Sequence, residues 1–177
     1  MKKILFINHS NHIHGAETIM LHLMKERKKA GDKIYVVTPR EKKRYIKKEI
    51  DAIEVEKWIL LPYKMLGKNL FRSLLVSFFY NAYALLYLMF FVRKEKIDII
   101  YSNTSINILG ASLAFFTRKK HIWHFHESLS KQYNWNNSLK YIYSFFINSK
   151  NTIIFIAEEQ KKQWTSLIRN INFTFII

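Results

Sequence analysis

The first 38 residues read as strand, polar loop, glycine, helix and strand, and that order limits the possible folds more than any other feature of the chain. Lys3-Ile4-Leu5-Phe6-Ile7-Asn8 is a short apolar run, and His9-Ser10-Asn11-His12-Ile13-His14 is a polar loop. Gly15-Ala16-Glu17 then opens an amphipathic helix, and Ile34-Tyr35-Val36-Val37-Thr38 is the next strand. A strand that feeds a helix through a glycine turn aims backbone N–H groups at whatever lies beyond the strand end. That makes the position a ready anion site.

Strand and helix signals keep alternating after this unit. The basic stretch past Thr38 reads as loop and a short helix. Ile53-Glu54-Val55-Glu56-Lys57-Trp58 alternates apolar and charged residues, as a half-exposed strand does. Ile97–Ser102, Lys120–His126, Thr152–Ala157 and Phe173–Ile177 read as further strands. Asn107–Phe116, Ser138–Asn148 and Glu158 to about Ile168 read as helices, the first with small residues Gly110, Ala111 and Ala114 suited to close packing on a sheet. This order predicts an α/β fold: a Rossmann-like, doubly wound, mainly parallel sheet with helices on both faces. No repeat and no linker divides residues 1–177, so a single domain with one real core is expected.

Composition narrows the partners. The absence of cysteine excludes a disulfide scaffold and a zinc ribbon, and it fits a reducing cytosol. Met1-Lys2-Lys3 is basic, but the apolar run behind it is too short for a secretory signal and breaks at Asn8. The formal charge is +16, and basic residues dominate between Lys25 and Lys48: Arg27, Lys28, Lys29, Lys33, Arg40, Lys42, Lys43, Arg44 and Lys47 lie between those two. Such a surface seeks phosphate in an anionic leaflet, a phosphorylated substrate or nucleic acid, unless it is a solvated face with no dedicated partner. No helix-turn-helix or finger signature occurs, so no nucleic-acid partner is expected. The expected location is the cytoplasm, with a peripheral place at the inner face of the plasma membrane as an option.

Leu74–Val92 carries no charged residue and is long enough to span a bilayer. It reads as a buried or half-buried crossover helix, an interfacial helix, or a true span. Arg72 before it and Arg93, Lys94 and Lys96 after it give no orientation bias. A span would put the strands before and after it on opposite sides of the membrane, where they could not share a sheet, and it would bury Ser77 and Asn81 in lipid. That favours the crossover.

In a doubly wound sheet, ligands sit beyond the carboxyl ends of the strands. Three polar clusters fall there: His9 to Glu17, Ser102-Asn103-Thr104-Ser105, and His124-Phe125-His126-Glu127-Ser128. Gly15 permits close backbone approach and the helix behind it offers unpaired N–H groups, or it is a plain helix start with Glu17 favourable near the positive end of the dipole. Asn103 and Thr104 suit sugar hydroxyls or cap the helix that begins near Asn107, and Ser105 reads at least as well as a cap. His121, His124 and His126 with Glu127 invite a metal reading. Alternation, however, puts His124 and His126 on one face of the strand and His121 on the other, so no metal site is expected. His126 reads either as a hydrogen-bonding group at the mouth of a cleft or as a polar cap on the strand. His9, His12 and His14 lie in the loop beside the same cleft, touching a ligand or merely exposed.

At these clusters the chain resembles the N-terminal domain of the family 4 glycosyltransferases, which have the two-domain GT-B fold. The family's strand, glycine-glycine-alanine-glutamate-type turn and helix are matched at His14-Gly15-Ala16-Glu17, with His14 in place of the first glycine. Ile97 to Ser105 is similar to the family strand that reads proline-aspartate-isoleucine-valine-histidine-serine-asparagine. Trp123 to Ser128 is similar to its histidine-acid strand end, and Lys150 to Gln163 resembles the strand and helix that follow. The resemblance covers nearly the whole chain and implies a single GT-B N-terminal lobe. It implies His126 as the catalytic candidate, the histidine that contacts the transferred sugar. It implies Gly15 near the donor diphosphate or the acceptor, and His14, Ala16, Glu17, Asn103, Thr104 and Glu127 as further substrate-binding candidates. The implied reaction transfers a sugar from a nucleotide donor with retained anomeric configuration and requires no metal or other cofactor.

The family's nucleotide-sugar domain, with its paired-glutamate motif, has no counterpart in residues 1–177. The expectation is therefore the acceptor-binding half of a retaining glycosyltransferase that serves a cell-surface polysaccharide or glycolipid, inactive alone. Its expected partners are a nucleotide-sugar donor held by the missing second domain, a sugar or lipid-linked acceptor, and an anionic membrane surface. The alternatives are a non-catalytic membrane-recruiting subunit of a split glycosyltransferase, and a small-molecule-binding or nucleic-acid-binding α/β module.

Overall fold

The computed structural model describes residues 1–63, 70–105, 107–127, 144–146, 151–167 and 174–176. Its strands are β1 (Lys3–Ile7), β2 (Lys33–Pro39), β3 (Lys57–Leu61), β4 (Ile99–Ser102), β5 (Lys120–Phe125), β6 (Thr152–Phe155) and β7 (Thr174–Ile176). Its helices are α1 (Gly15–Lys29), α2 (Lys47–Ile53), α3 (Leu70–Lys94), α4 (Leu109–Thr117) and α5 (Glu158–Leu167). All seven strands run parallel in one sheet, in the order β3-β2-β1-β4-β5-β6-β7. The order reverses between β1 and β4. In open α/β sheets, ligands bind outside the carboxyl ends of the strands at such a switch point.

Both faces of the sheet are covered, so its central strands read as unbroken apolar runs rather than alternating ones. On one face Ile4, Phe6, Ile34, Val36, Ile99 and Tyr101 pack with Met20, Leu21 and Met24 of α1 and with Ile46, Ile50 and Ile53 around α2. On the other, Leu5, Ile7, Val37, Ile59 and Ile100 pack with Ala84, Leu88, Phe91 and Val92 of α3 and Leu109 and Leu113 of α4. A third cluster joins Trp123, Phe125, Ile153 and Phe155 of β5 and β6 to Ala111 and to Trp164 of α5.

Residues 53–58 depart from the expected strand. Ile46, Ile50 and Ile53 are buried at helical spacing, so α2 takes Ile53 as its last residue. Glu54 closes that helix in the left-handed region (φ 55°), and pairing with β2 begins only at Lys57. The short alternating run was too brief to outweigh the helical period before it. The expected helix over 138–148 lies outside the described residues, apart from 144–146, which are helical.

The apolar segment at 74–92 forms most of α3, and it connects β3 and β4 of the same sheet. Ala84, Leu88, Phe91 and Val92 are buried, whereas Tyr83, Leu86 and Phe90 face outward. Among the described residues no helix is long and apolar enough to cross a membrane.

Candidate functional site

Asn8 directly follows β1 and is fully buried, with every polar group occupied. Its N–H donates to the Val37 carbonyl (3.0 Å), its carbonyl accepts from the Tyr63 hydroxyl, and its Nδ2 donates to the Ser10 carbonyl (2.8 Å). Its Oδ1 accepts from Nδ2 of Asn103 (3.1 Å), the residue that follows β4. The polar residues after the two switch-point strands are thus bonded directly to each other.

His14 and Gly15 are exposed at the start of α1, Ala16 is half-buried and Glu17 is buried. The Glu17 carboxylate accepts the His14 N–H at 3.1 Å, a bond that fixes the entry to the helix. Its other oxygen lies 3.7 Å from His9 Nδ1, and neither atom has a hydrogen-bond partner among the described residues. Glu17 therefore puts negative charge beside the helix N-terminus, which offsets part of its attraction for an anion. A Cβ on Gly15 would meet nothing within 4 Å, so open space lies in front of this turn.

Asn103 orders the centre of the site. Its Nδ2 also donates to the carbonyl of Ala16 (3.1 Å), a group that only accepts. The amide orientation follows, and Oδ1 faces Nε2 of His126 at 3.0 Å. Nε2 must then carry a proton, and in the neutral ring Nδ1 is left as a lone-pair acceptor. Burial lowers the His126 pKa below the ordinary imidazole range, Glu127 and Glu17 oppose that, and His9 adds to it. The neutral ring is thus the form favoured near pH 7.

Glu127 is held rather than free. Its carboxylate accepts from the Thr104 hydroxyl (2.6 Å), from the N–H (2.8 Å) and hydroxyl of Ser105, and from the His126 N–H (3.3 Å). Its carbonyl accepts from Gln160 Nε2 (3.0 Å) and Trp164 Nε1 (3.4 Å), which ties the end of β5 to α5. Thr104 and Ser105 are buried by this arrangement. Ser105 does not cap α4: Asn107 Oδ1 accepts the N–H of Leu109 (2.8 Å), while the Ser105 hydroxyl is committed to Glu127.

The histidines of β5 divide between the faces of the sheet. His124 Nδ1 is 2.6 Å from the Tyr101 hydroxyl, and its ring centroid lies 4.0 Å from that of His126. Burial first, and then the His126 charge, lower the His124 pKa to about 3. On the other face, His121 Nε2 meets the Ser102 hydroxyl (2.9 Å) and its Nδ1 meets Asn151 Oδ1 (3.1 Å). Burial pushes the His121 pKa down to about 4, against the Asn151 bond. The three rings do not converge on a point. Among the described residues no three His, Cys, Asp or Glu side chains are grouped to hold a metal ion.

The structure therefore brings Ala16, Glu17, Asn103 and His126 into one cluster, with Gly15 at its open edge. Thr104 and Glu127 support it from beside β5, and His14 caps α1 from the solvent side. His12 is exposed, its ring stacked near His14 (5.9 Å) and tilted against Tyr45 (4.9 Å). Ser128 lies outside the described residues. Of the basic residues from 25 to 48, Lys25, Arg27, Lys28, Lys29 and Lys47 are taken up in ion pairs. Arg40, Lys42, Lys43 and Arg44 stay exposed in the loop after β2, at the same sheet edge as the site. Asn11 fastens that loop to the β1–α1 loop, donating Nδ2 to the Pro39 carbonyl (2.6 Å) and accepting the Ile46 N–H (3.1 Å). Sequence reasoning missed Asn8, Gln160 and Trp164, and it placed Asn11 in the first polar cluster without singling it out. Asn8 carried a signal, as a polar residue closing an apolar run.

The family model Glycosyltransferase Family 4 matches residues 13–171. Among solved structures, the chain is similar to Alr3699/HepE of Anabaena in complex with UDP and glucose, with a TM-score of 0.71 and 17% identity over 100% of this chain and 44% of that one. It is similar to a glycosyltransferase of Rickettsia africae ESF-5, with a TM-score of 0.70 and 15% identity over 99% of this chain and 42% of that one. It is also similar to a putative UDP-N-acetylglucosamine 2-epimerase of Listeria monocytogenes, with a TM-score of 0.61 and 12% identity over 99% of this chain and 45% of that one. No curated protein matches. At these identities the structures show a shared fold, and the chain spans less than half the length of each.

Proposed function

The chain belongs to Glycosyltransferase Family 4, and we propose that it forms the acceptor-side half of a retaining glycosyltransferase whose nucleotide-sugar donor is held by a second lobe. In the reaction the bond from the anomeric carbon to the nucleoside diphosphate breaks and a bond to the acceptor oxygen forms. The acceptor's hydroxyl proton leaves with the diphosphate. The acceptor proposed is a cell-surface polysaccharide or glycolipid.

One observation carries this reading. Asn103 links the loops after β1, β4 and β5, and its Oδ1 lies 3.0 Å from His126 Nε2, a geometry that favours the tautomer with the proton on Nε2 and the lone pair on Nδ1. A neutral imidazole in that state accepts a hydrogen bond from a sugar hydroxyl, and a fixed ring orientation makes the contact geometrically selective. Asn103, Thr104 and Glu127 act as positioning residues in this scheme, since their polar groups are already bonded within the protein. Gly15 leaves room for a ligand, and the exposed cations Arg40 to Arg44 add positive potential at the rim for a diphosphate or an anionic acceptor.

The test is turnover of a complete enzyme, with this chain joined to or reconstituted with a nucleotide-sugar-binding lobe. His126→Ala should lower kcat by roughly 100-fold, the size seen when one transition-state hydrogen bond is removed, with circular dichroism unchanged. Full turnover by that variant would remove His126 from the site.

A further inference from the structure

We propose that Tyr101 and His124 are positioning residues for His126: the buried ring of His124, tethered by the Tyr101 hydroxyl, forms a floor that fixes the plane of the imidazole at the site. The inference rests on the reading of His126 as the group that meets the sugar, and it adds the two residues that set its orientation.

His126 directly follows β5 and is half-buried. Its Nε2 meets Asn103 Oδ1 at 3.0 Å. One bond at one ring atom fixes a point and leaves the plane free. The histidine torsion about Cβ–Cγ is broad, so the ring can swing while that bond is kept, and Nδ1 swings with it. A contact against the ring face stops the swing. His124 supplies that contact: its ring centroid lies 4.0 Å from that of His126, with 40° between the planes. The two residues are two apart, so alternation along the strand brings their side chains to one side of the sheet.

The floor is itself held. His124 Nδ1 lies 2.6 Å from the Tyr101 hydroxyl, and the Tyr101 ring stands nearly perpendicular to the imidazole (86°, centroids 6.1 Å apart). Tyr101 is tilted in turn against Phe6, with centroids 4.9 Å apart. Phe6, Tyr101 and His124 are 1%, 2% and 1% exposed. This line of rings crosses β1, β4 and β5 and begins in the core that packs against α1. Strands carry it, and a site supported from strands is held more precisely than one supported from loops.

The residue type at 124 argues for a task. Ile122, two residues earlier on the same side, is apolar. His124 instead buries Nε2 with no hydrogen-bond partner among the described residues, a cost that an apolar side chain would not carry. With a pKa of about 3, His124 is uncharged near pH 7, so it acts on His126 there through shape and the exclusion of water. The other titratable groups that face His126 are Glu127, Glu17 and His9. They stay in place when His124 is changed.

The test has two readouts. In the 177-residue chain, His124→Ala opens the face of His126 to water, so an NMR titration of the His126 ring protons should show the midpoint moving up toward the ordinary imidazole range. In a complete enzyme, supplied with a nucleotide-sugar-binding lobe, the same variant should lower kcat roughly tenfold with KM little changed, because a misplaced group costs chemistry more than binding. His124→Val, which also lacks a ring, serves if His124→Ala does not fold by circular dichroism. Tyr101→Phe/His124→Phe replaces both polar partners with flat rings; it should restore the titration and bring kcat to within about threefold of the unaltered enzyme. A folded His124→Ala or His124→Val chain whose His126 titration and kcat are unchanged would overturn the inference. A double phenylalanine variant that behaves like His124→Ala would overturn it equally. The titration needs no donor lobe, so the two readings fail separately: full turnover by His126→Ala removes the sugar contact, and an unmoved His126 titration removes the floor.

Discussion

Asn103 shows how one side chain turns three separate loops into a site. Its amide donates to Asn8 and to Ala16 and accepts from His126, so its orientation is over-determined. Asn103→Asp keeps the shape but removes both donors and places a carboxylate against the imidazole. The His126 pKa should then rise by roughly one to three units, the shift expected from an adjacent opposite charge, and stability should fall by about 1–3 kcal/mol for the buried acceptors left unpaired. An NMR titration of the His126 ring protons checks the first effect and urea unfolding the second. An unmoved His126 titration would mean that the two side chains do not meet in solution. Asn103 and His126 were both recognisable as polar strand ends in the sequence. Which way the Asn103 amide faces, and so which imidazole nitrogen it meets as an acceptor, depends on where the Ala16 carbonyl lies.

At the scale of elements, two helices are read by their contacts. In α4, a Cβ on Gly110 would lie 1.8 Å from the Ser102 hydroxyl oxygen and 3.3 Å from His121 Nε2. Gly110→Ala should therefore destabilise by about 1–3 kcal/mol through overpacking, and the cost should be smaller in a Ser102→Ala background, where the colliding oxygen is gone. Equal costs in the two backgrounds would show that the helix shifts instead of pressing on the strand. In α3, Leu88 is fully buried and Leu86, two residues earlier, is mostly exposed. Leu88→Ala should cost about 2–5 kcal/mol and Leu86→Ala less than about 0.5 kcal/mol, measured by denaturant midpoint. The small residues of α4 were legible as a packing surface. Which side of α3 is buried was not, because a helix apolar all round gives no sign of the face the sheet will take.

The whole molecule holds two neutral buried histidines, and this sets its response to acid. His121 and His124 have pKa values of about 4 and about 3 in the folded chain, whereas in an unfolded chain they return to about 6.5. Between those values the unfolded chain binds protons that the folded one refuses. Stability should thus be full above about pH 6.5, fall as the pH drops toward 4, and level off below the folded values. His121 alone corresponds to roughly 3 kcal/mol, a large share of a typical domain's stability. Urea midpoints at pH 7, 5.5 and 4.5 check this, and His121→Gln should flatten the slope. A midpoint independent of pH would contradict it. The order of strands and helices, the α/β class and the polar strand ends came from the sequence by itself, because hydrophobic period and glycine placement act over a few residues and are written locally. The end of α2 at Ile53, the committed side of α3, the anchoring of Glu127 by α5, and the joining of Asn8, Asn103 and His126 were decided only by tertiary structure. Those outcomes depend on which distant surfaces meet, and the switch in strand order between β1 and β4 brings together residues 95 apart in the chain.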